Sequence, residues 1–105
     1  MKNTTAVLLL AVALTGTPAI TMADDAAALW ASKCAMCHGK TGAPTMMGKN
    51  NGAGDYSSAA DQAKFTDAEA IAAITSGKGK MKGFADKLTP DQVKALVAYI
   101  RTLKK

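Results

Sequence analysis

The sequence predicts an all-α domain of three main helices joined by loops that wrap around something. Three observations predict it. No stretch alternates apolar and polar residues over the length of a strand. Two segments, opening at Thr66 and Thr89, combine a helix-start signature with apolar residues at helical spacing, and a third runs from the acidic pair Asp24 and Asp25. The only two cysteines and the only histidine of a 105-residue chain fall within five residues, Cys34 to His38. A domain this small buries a thin core and needs a staple such as a disulfide, a metal or a buried cofactor.

Residues 1–23, "MKNTTAVLLLAVALTGTPAITMA", have the layout of a secretory signal peptide. Lys2 comes first, then an apolar run from Ala6 to about Leu14, then small residues with Thr21 and Ala23 at the recognition positions. The apolar run is too short to cross a bilayer, which takes roughly 20 residues. The working domain is therefore expected to be 24–105, exported to the periplasm, with no membrane span.

The first helix is expected to start at Asp24 and Asp25, which suit the positive end of the helix dipole, and to continue without a break through "AAALWASKCAMCH" to Gly39. From Lys40 to about Tyr56 the chain is rich in Gly, Asn and Lys and is expected to have no regular element. "SSAADQAKF" has room for one or two helical turns. The second helix starts at "TDAE", where Thr66 and Glu69 fit a capping box, presents Ala70, Ile71 and Ile74 on one face, and stops at Ser76-Gly77. A glycine- and lysine-bearing loop leads to the last helix. There Thr89 caps, Pro90 takes the first helical position and Gln92 closes a second box. Val93, Leu96, Val97, Ile100 and Leu103 then form a single apolar stripe.

Charge excludes little. The chain carries 13 Lys and Arg against 8 Asp and Glu, one of the cations leaving with Lys2. That excess is too weak and too scattered to argue for nucleic acid.

The chemistry lies in "KCAMCHGK". On a helix, residues three and four apart share a face, so Cys34, Cys37 and His38 project to one side. Such a set can hold a flat object by two edges and one axis, and C-x-x-C-H is the attachment signature of c-type haem. Cys34 and Cys37 would form thioethers and His38 would reach the iron. Two other readings compete. A structural zinc site needs four ligands, and no further Cys or His exists in the chain. A thiol switch sits at a helix start after a strand, within a βαβ pattern that this sequence lacks, although export would favour a plain disulfide.

A haem used for electron transfer takes a second axial ligand, and a methionine thioether raises its potential. Methionine ordinarily fills core space. Met46 and Met47 follow His38 too closely to reach the opposite face of a ring, whereas Met81, in a glycine-bearing loop after a helix, has the chain length to come round the edge.

"CAMCH", "TSGKGKMKGF" and "LTPDQVKALVAYIRTL", in this order and spacing, make the chain from 24 onward resemble a class I cytochrome c of the small bacterial single-haem type. The resemblance implies that fold around one covalent haem c, with cofactor-binding residues Cys34, Cys37, His38 and Met81, and with His38 and Met81 on the metal. It implies an electron carrier and not an enzyme, with redox proteins as partners. It implies a crossing of the first and last helices, with Ala26 and Trp30 against Leu96 and Tyr99. It implies a Pro44 carbonyl that accepts from the His38 imidazole. Ile71, Ile74, Phe84, Leu88, Leu96 and Val97 would pack on the haem. Many relatives carry proline directly after the axial methionine, where this chain has Lys82, so a less stiff loop is expected. Lys78, Lys80 and Lys82 suit an acidic partner. A monomer is expected. Should the Met81 bond be weak, the same scaffold would offer an open iron position for a gas ligand or for peroxide chemistry. A haem subunit of a larger oxidase or dehydrogenase also stays open.

Overall fold

The computed structural model describes residues 22–105. The expected signal peptide lies outside the described residues except for Met22 and Ala23, which begin α1, Met22–Leu29. Asp24 and Asp25 occupy its first turn, as the dipole argument requires.

The first helix is not continuous. A π-helical turn, Trp30–Cys34, intervenes before α2, Ala35–His38, and the Ala35 N–H donates to the Trp30 carbonyl five residues back. The extra residue matters for phase. In an unbroken α-helix, residues eight apart are displaced by about 80° around the axis. One inserted residue makes Trp30 and His38 behave as residues seven apart, roughly two full turns, and places them on one face. The indole then closes the end of the segment, because Trp30 Nε1 donates to the Gly39 carbonyl at 3.0 Å.

The stretch after Gly39 is more ordered than its composition suggests. Thr45 caps a short helix, α3, Met46–Asn50, its hydroxyl accepting from the Gly48 amide. The same hydroxyl donates to the Met36 carbonyl at 2.7 Å, and the Thr45 amide donates to the Cys37 carbonyl at 3.0 Å. Gly48 lies so close to the Cys37 carbonyl that a side chain there would collide with it. An N-cap threonine hidden in a polar run thus builds α3 and seats it on the cysteine segment. Ser58 caps the single turn α4, Ala59–Gln62.

The two predicted capping boxes form as expected. Thr66 and Glu69 exchange bonds at the start of α5, Asp67–Ser76. Thr89 and Gln92 do the same for α6, Pro90–Thr102, with Pro90 in the first turn. Between them lies a short hairpin that no strand signal in the sequence announces. β1, Gly77–Lys78, and β2, Met81–Lys82, pair antiparallel with Lys78 opposite Met81. A two-residue ladder is too short to leave an alternating pattern in the sequence.

The core follows the α6 stripe. Val93, Leu96, Val97 and Ile100 are buried, with Leu96 at 0% exposure. Leu103 terminates the helix and is only partly buried. α1 packs against α6, and Ala26, with no side chain beyond Cβ, is fully buried. Trp30 reaches Tyr99 with ring centroids 5.9 Å apart. The helix crossing implied by the resemblance is therefore present. Burying each large aliphatic side chain stabilises by about 1.5–3 kcal/mol.

Candidate functional site

The CxxCH segment, the hairpin and the loop before α5 face one another across a cavity. An inner part, about 110 Å³, is lined by residues that include Trp30, Cys34, His38, Ile74, Met81 and Leu96. An outer cleft of about 680 Å³ adds Cys37, Phe84 and the lysines Lys78, Lys80 and Lys82. The outer volume lies within the ~300–1,000 Å³ range of cofactor pockets. Cys34, Cys37 and His38, and Met81 far from them in sequence, thus line one cleft. Met46 and Met47 are exposed and line neither part.

Each group is held by local structure. α2 and Gly39, at φ 76°, end the helix just past His38. Burial lowers the affinity of His38 for a proton, which leaves the imidazole neutral with a lone pair to donate. Its Nδ1 is buried and has no hydrogen-bond partner. The expected bond to the Pro44 carbonyl is not made. The imidazole ring instead stacks on Tyr56, at 5.3 Å and 26°, and meets Trp30 at a tilt, at 5.7 Å and 35°. Burial pushes the Cys34 thiol up to about 11, with the Lys33 charge opposing, so it is a protonated thiol at neutral pH and not a thiolate. Neither cysteine is in a disulfide. Among the described residues, no group of three or more His, Cys, Asp and Glu side chains is arranged to hold a metal ion.

Of the six side chains expected on the cofactor, Ile74, Phe84 and Leu96 line the cleft. Leu88 and Val97 instead belong to the buried core, with Ile71 packed at its edge. The α6 stripe is wide enough to serve two purposes: Leu96 and Ile100 reach the cavity while Val97 stays in the core.

Sequence reasoning missed the residues that hold the third wall. Gln62 is 4% exposed. Its Nε2 donates to the Tyr56 carbonyl at 2.8 Å and to the Ile100 carbonyl at 2.7 Å. Arg101 donates from Nη1 to the Gln62 carbonyl and to Gln62 Oε1, from Nη2 to the Phe65 carbonyl, and from Nε to Asp67. Its guanidinium also lies over the Phe65 ring, 4.3 Å from the centroid. Phe65 meets Tyr56 edge-on at 5.6 Å. The third wall is thus an aromatic pair, Tyr56 and Phe65, tied to the end of α6 by a buried amide and a guanidinium. Burial, and secondarily the Asp61 carboxylate, raises the Tyr56 pKa, so the phenol stays neutral. A glutamine in a polar run and an arginine at a helix end leave no pattern from which this network could be read.

The residues present suit a covalently held haem. They offer two thiols, a neutral imidazole with an unpartnered nitrogen, a thioether and otherwise apolar walls around one cleft.

No match was found among curated proteins. A family model described as cytochrome c oxidase, cbb3-type, subunit III matches residues 21–100. The solved structure of the KustC0563 c-type cytochrome is 41% identical over 76% of this chain and 98% of its own, with a TM-score of 0.72. A tyrosine-to-phenylalanine mutant of that protein is likewise 41% identical, covering 76% of this chain and 99% of its own, with a TM-score of 0.70. With the family model running from the start of α1 almost to the end of α6, and with the CxxCH segment facing a methionine hairpin across one cleft, the chain belongs to the c-type cytochromes as a small class I member.

Proposed function

We propose that residues 24–105 form a single exported domain, a monomeric periplasmic carrier of single electrons. Cys34 and Cys37 would anchor one haem c by thioethers, and His38 and Met81 would bind its iron. The observation that supports this reading most is the shared cleft of His38 and Met81, residues 43 positions apart by their numbers. When bound, the haem supplies one-electron iron chemistry, with a potential raised by a thioether ligand. The residues of the chain do the rest. Neutral His38 donates its lone pair without first losing a proton. Trp30 and Tyr56 fix the plane of its ring. Ile74, Leu96 and Phe84 exclude water and lower the local dielectric, which favours the less charged reduced site. Lys78, Lys80 and Lys82 are all exposed and offer an acidic partner a basic rim beside the cleft.

The test is spectroscopic. The oxidised holoprotein should show the weak methionine–iron band near about 695 nm and should resist carbon monoxide when reduced. Absence of the band together with ready carbon monoxide binding would favour the open-site alternative of gas binding or peroxide chemistry. Electron transfer to an acidic partner should slow as salt rises, because surface charges are screened beyond about 8 Å at physiological ionic strength. A salt-independent rate would remove the steering role of the three lysines.

A further inference from the structure

The hairpin that carries Met81 is closed at its base by backbone packed directly on backbone. The Phe84 amide donates to the Ile74 carbonyl at 2.8 Å and the Ala85 amide to the Thr75 carbonyl at 3.1 Å, so the chain leaving β2 is tied to the last turn of α5. The Gly77 amide donates to the Ala73 carbonyl from the other side of the base. A Cβ on Gly83 would stand 2.6 Å from the Thr75 carbonyl oxygen and the Ser76 carbonyl carbon, and 2.9 Å from the Gly77 nitrogen. A Cβ on Gly77 would stand 2.7 Å from the Met81 carbonyl oxygen. These neighbours are all backbone atoms and cannot rotate aside. The tip is different: a Cβ on Gly79 would meet nothing within 4 Å.

Gly83 is the more informative of the two base glycines. Gly77 has φ 86°, which L side chains avoid whatever the space. Gly83 has no such positive φ, so contact alone forbids a side chain there. We propose that Gly83, supported by Gly77, is the positioning residue for Met81: bare backbone contact between the base of the hairpin and the end of α5 holds the thioether in place, the stiffening that a proline after the methionine would otherwise give. This inference rests on the reading of Met81 as an iron ligand. It also assigns a cause to the tolerance of Lys82, since a hairpin fixed at its base does not depend on the residue at 82 for its stiffness. An alanine at 83 must lift β2 from α5. Ligand geometry tolerates displacements of only about 0.5 Å, and Met81 is two residues away.

The experiment compares oxidised holoproteins of the wild type, Gly83→Ala and Gly79→Asn, the last chosen because asparagine tolerates the left-handed region. Gly83→Ala should lose or sharply weaken the band near about 695 nm and should take up added imidazole at least about tenfold faster, the sign of a displaced weak ligand. Gly79→Asn should match the wild type in both. Amide exchange of the wild-type holoprotein gives an independent readout should Gly83→Ala fail to assemble: the Phe84 and Ala85 amides should exchange at least about 100-fold more slowly than that of Lys80 at the tip. The inference is overturned if Gly83→Ala keeps both the band and the slow imidazole uptake, if Gly79→Asn loses them equally, or if Phe84 and Ala85 exchange as fast as Lys80. A wild-type protein without the band sinks the Met81 reading and this inference together, whereas a wild-type band that survives in Gly83→Ala sinks this inference alone.

Discussion

Two walls of the cleft are built on opposite principles. On one side, α1 and α6 cross through Ala26, Trp30, Leu96 and Tyr99, an apolar contact in which the side chains do the holding. On the other, the chain from Gly42 to Phe65 carries only the short helices α3 and α4 and is held by hydrogen bonds to backbone carbonyls. Gln62 and Arg101 reach across from opposite elements, the Tyr56 amide donates to the Gly42 carbonyl, and the Lys105 amide donates to the Ser57 carbonyl. Apolar contact is non-directional and tolerates repacking at modest cost. A buried polar network tolerates little, because each lost partner leaves another group unsatisfied. The helical wall should therefore govern how stable the domain is, and the loop wall should govern how accurately Tyr56 and Phe65 are placed beside His38.

The largest effect should come from the helical wall. Leu96 is fully buried where α6 meets both the core and the inner cavity. Leu96→Ala should cost about 2–5 kcal/mol, lowering the midpoint of denaturant unfolding for all probes together. A loss confined to probes near the loop, with the helical signal unmoved, would show that the two walls do not share one cooperative unit.

Gln62→Leu should have a smaller and differently shaped effect. It keeps the volume roughly constant but leaves the Tyr56 carbonyl without its donor, takes one of two donors from the Ile100 carbonyl, which keeps the Leu103 amide, and removes one acceptor from Arg101. The cost should be about 1–3 kcal/mol. It should appear first as faster amide exchange over residues 55–65, with α1 little changed, and as an altered environment of the His38 ring by NMR. Uniform acceleration along the chain would mean that Gln62 acts only through global stability.

The same contrast decides what could be read from sequence. The α6 stripe and both capping boxes were legible because periodic burial and caps write themselves into residue order, and Cys34, Cys37 and His38 were legible because the chemistry demands a fixed spacing. Loop length separates Met81, which lines the cleft, from Met46 and Met47, which do not. The π turn was not legible, since a one-residue change of phase between Trp30 and His38 leaves both still looking helical. α3 depended on recognising Thr45 as a cap inside a polar run. Gln62 and Arg101 were beyond reach, because each serves partners 34 to 39 residues away through single bonds that no local pattern records. At the hairpin the sequence shows the missing proline at Lys82 but not the close approach of Gly83 to Thr75 and Ser76.

The smallest predicted effect separates the walls by pH. Asp61 belongs to the loop wall. Its carboxylate accepts from Lys64 at 2.9 Å and from the Asp55 amide at 2.8 Å, and these bonds, the lysine first, hold its pKa below the usual carboxylate value. A depressed pKa stabilises the fold above the unfolded value, and that contribution is lost as pH falls through the folded value. None of the apolar contacts between α1 and α6 titrates. Acid below the ordinary carboxylate range should therefore loosen residues 55–64 before it affects the helix crossing, and Asp61→Asn should bring that loosening to neutral pH and remove most of the acid dependence. Lys64 is largely exposed, so its ion pair contributes little by itself, and Lys64→Ala should reproduce only part of the change. The measurement is amide exchange at Ser57 and Gln62 as a function of pH, corrected for the intrinsic rates. Equal acid sensitivity of these amides and those of Leu96 and Val97 would show that Asp61 does not act locally on the loop wall.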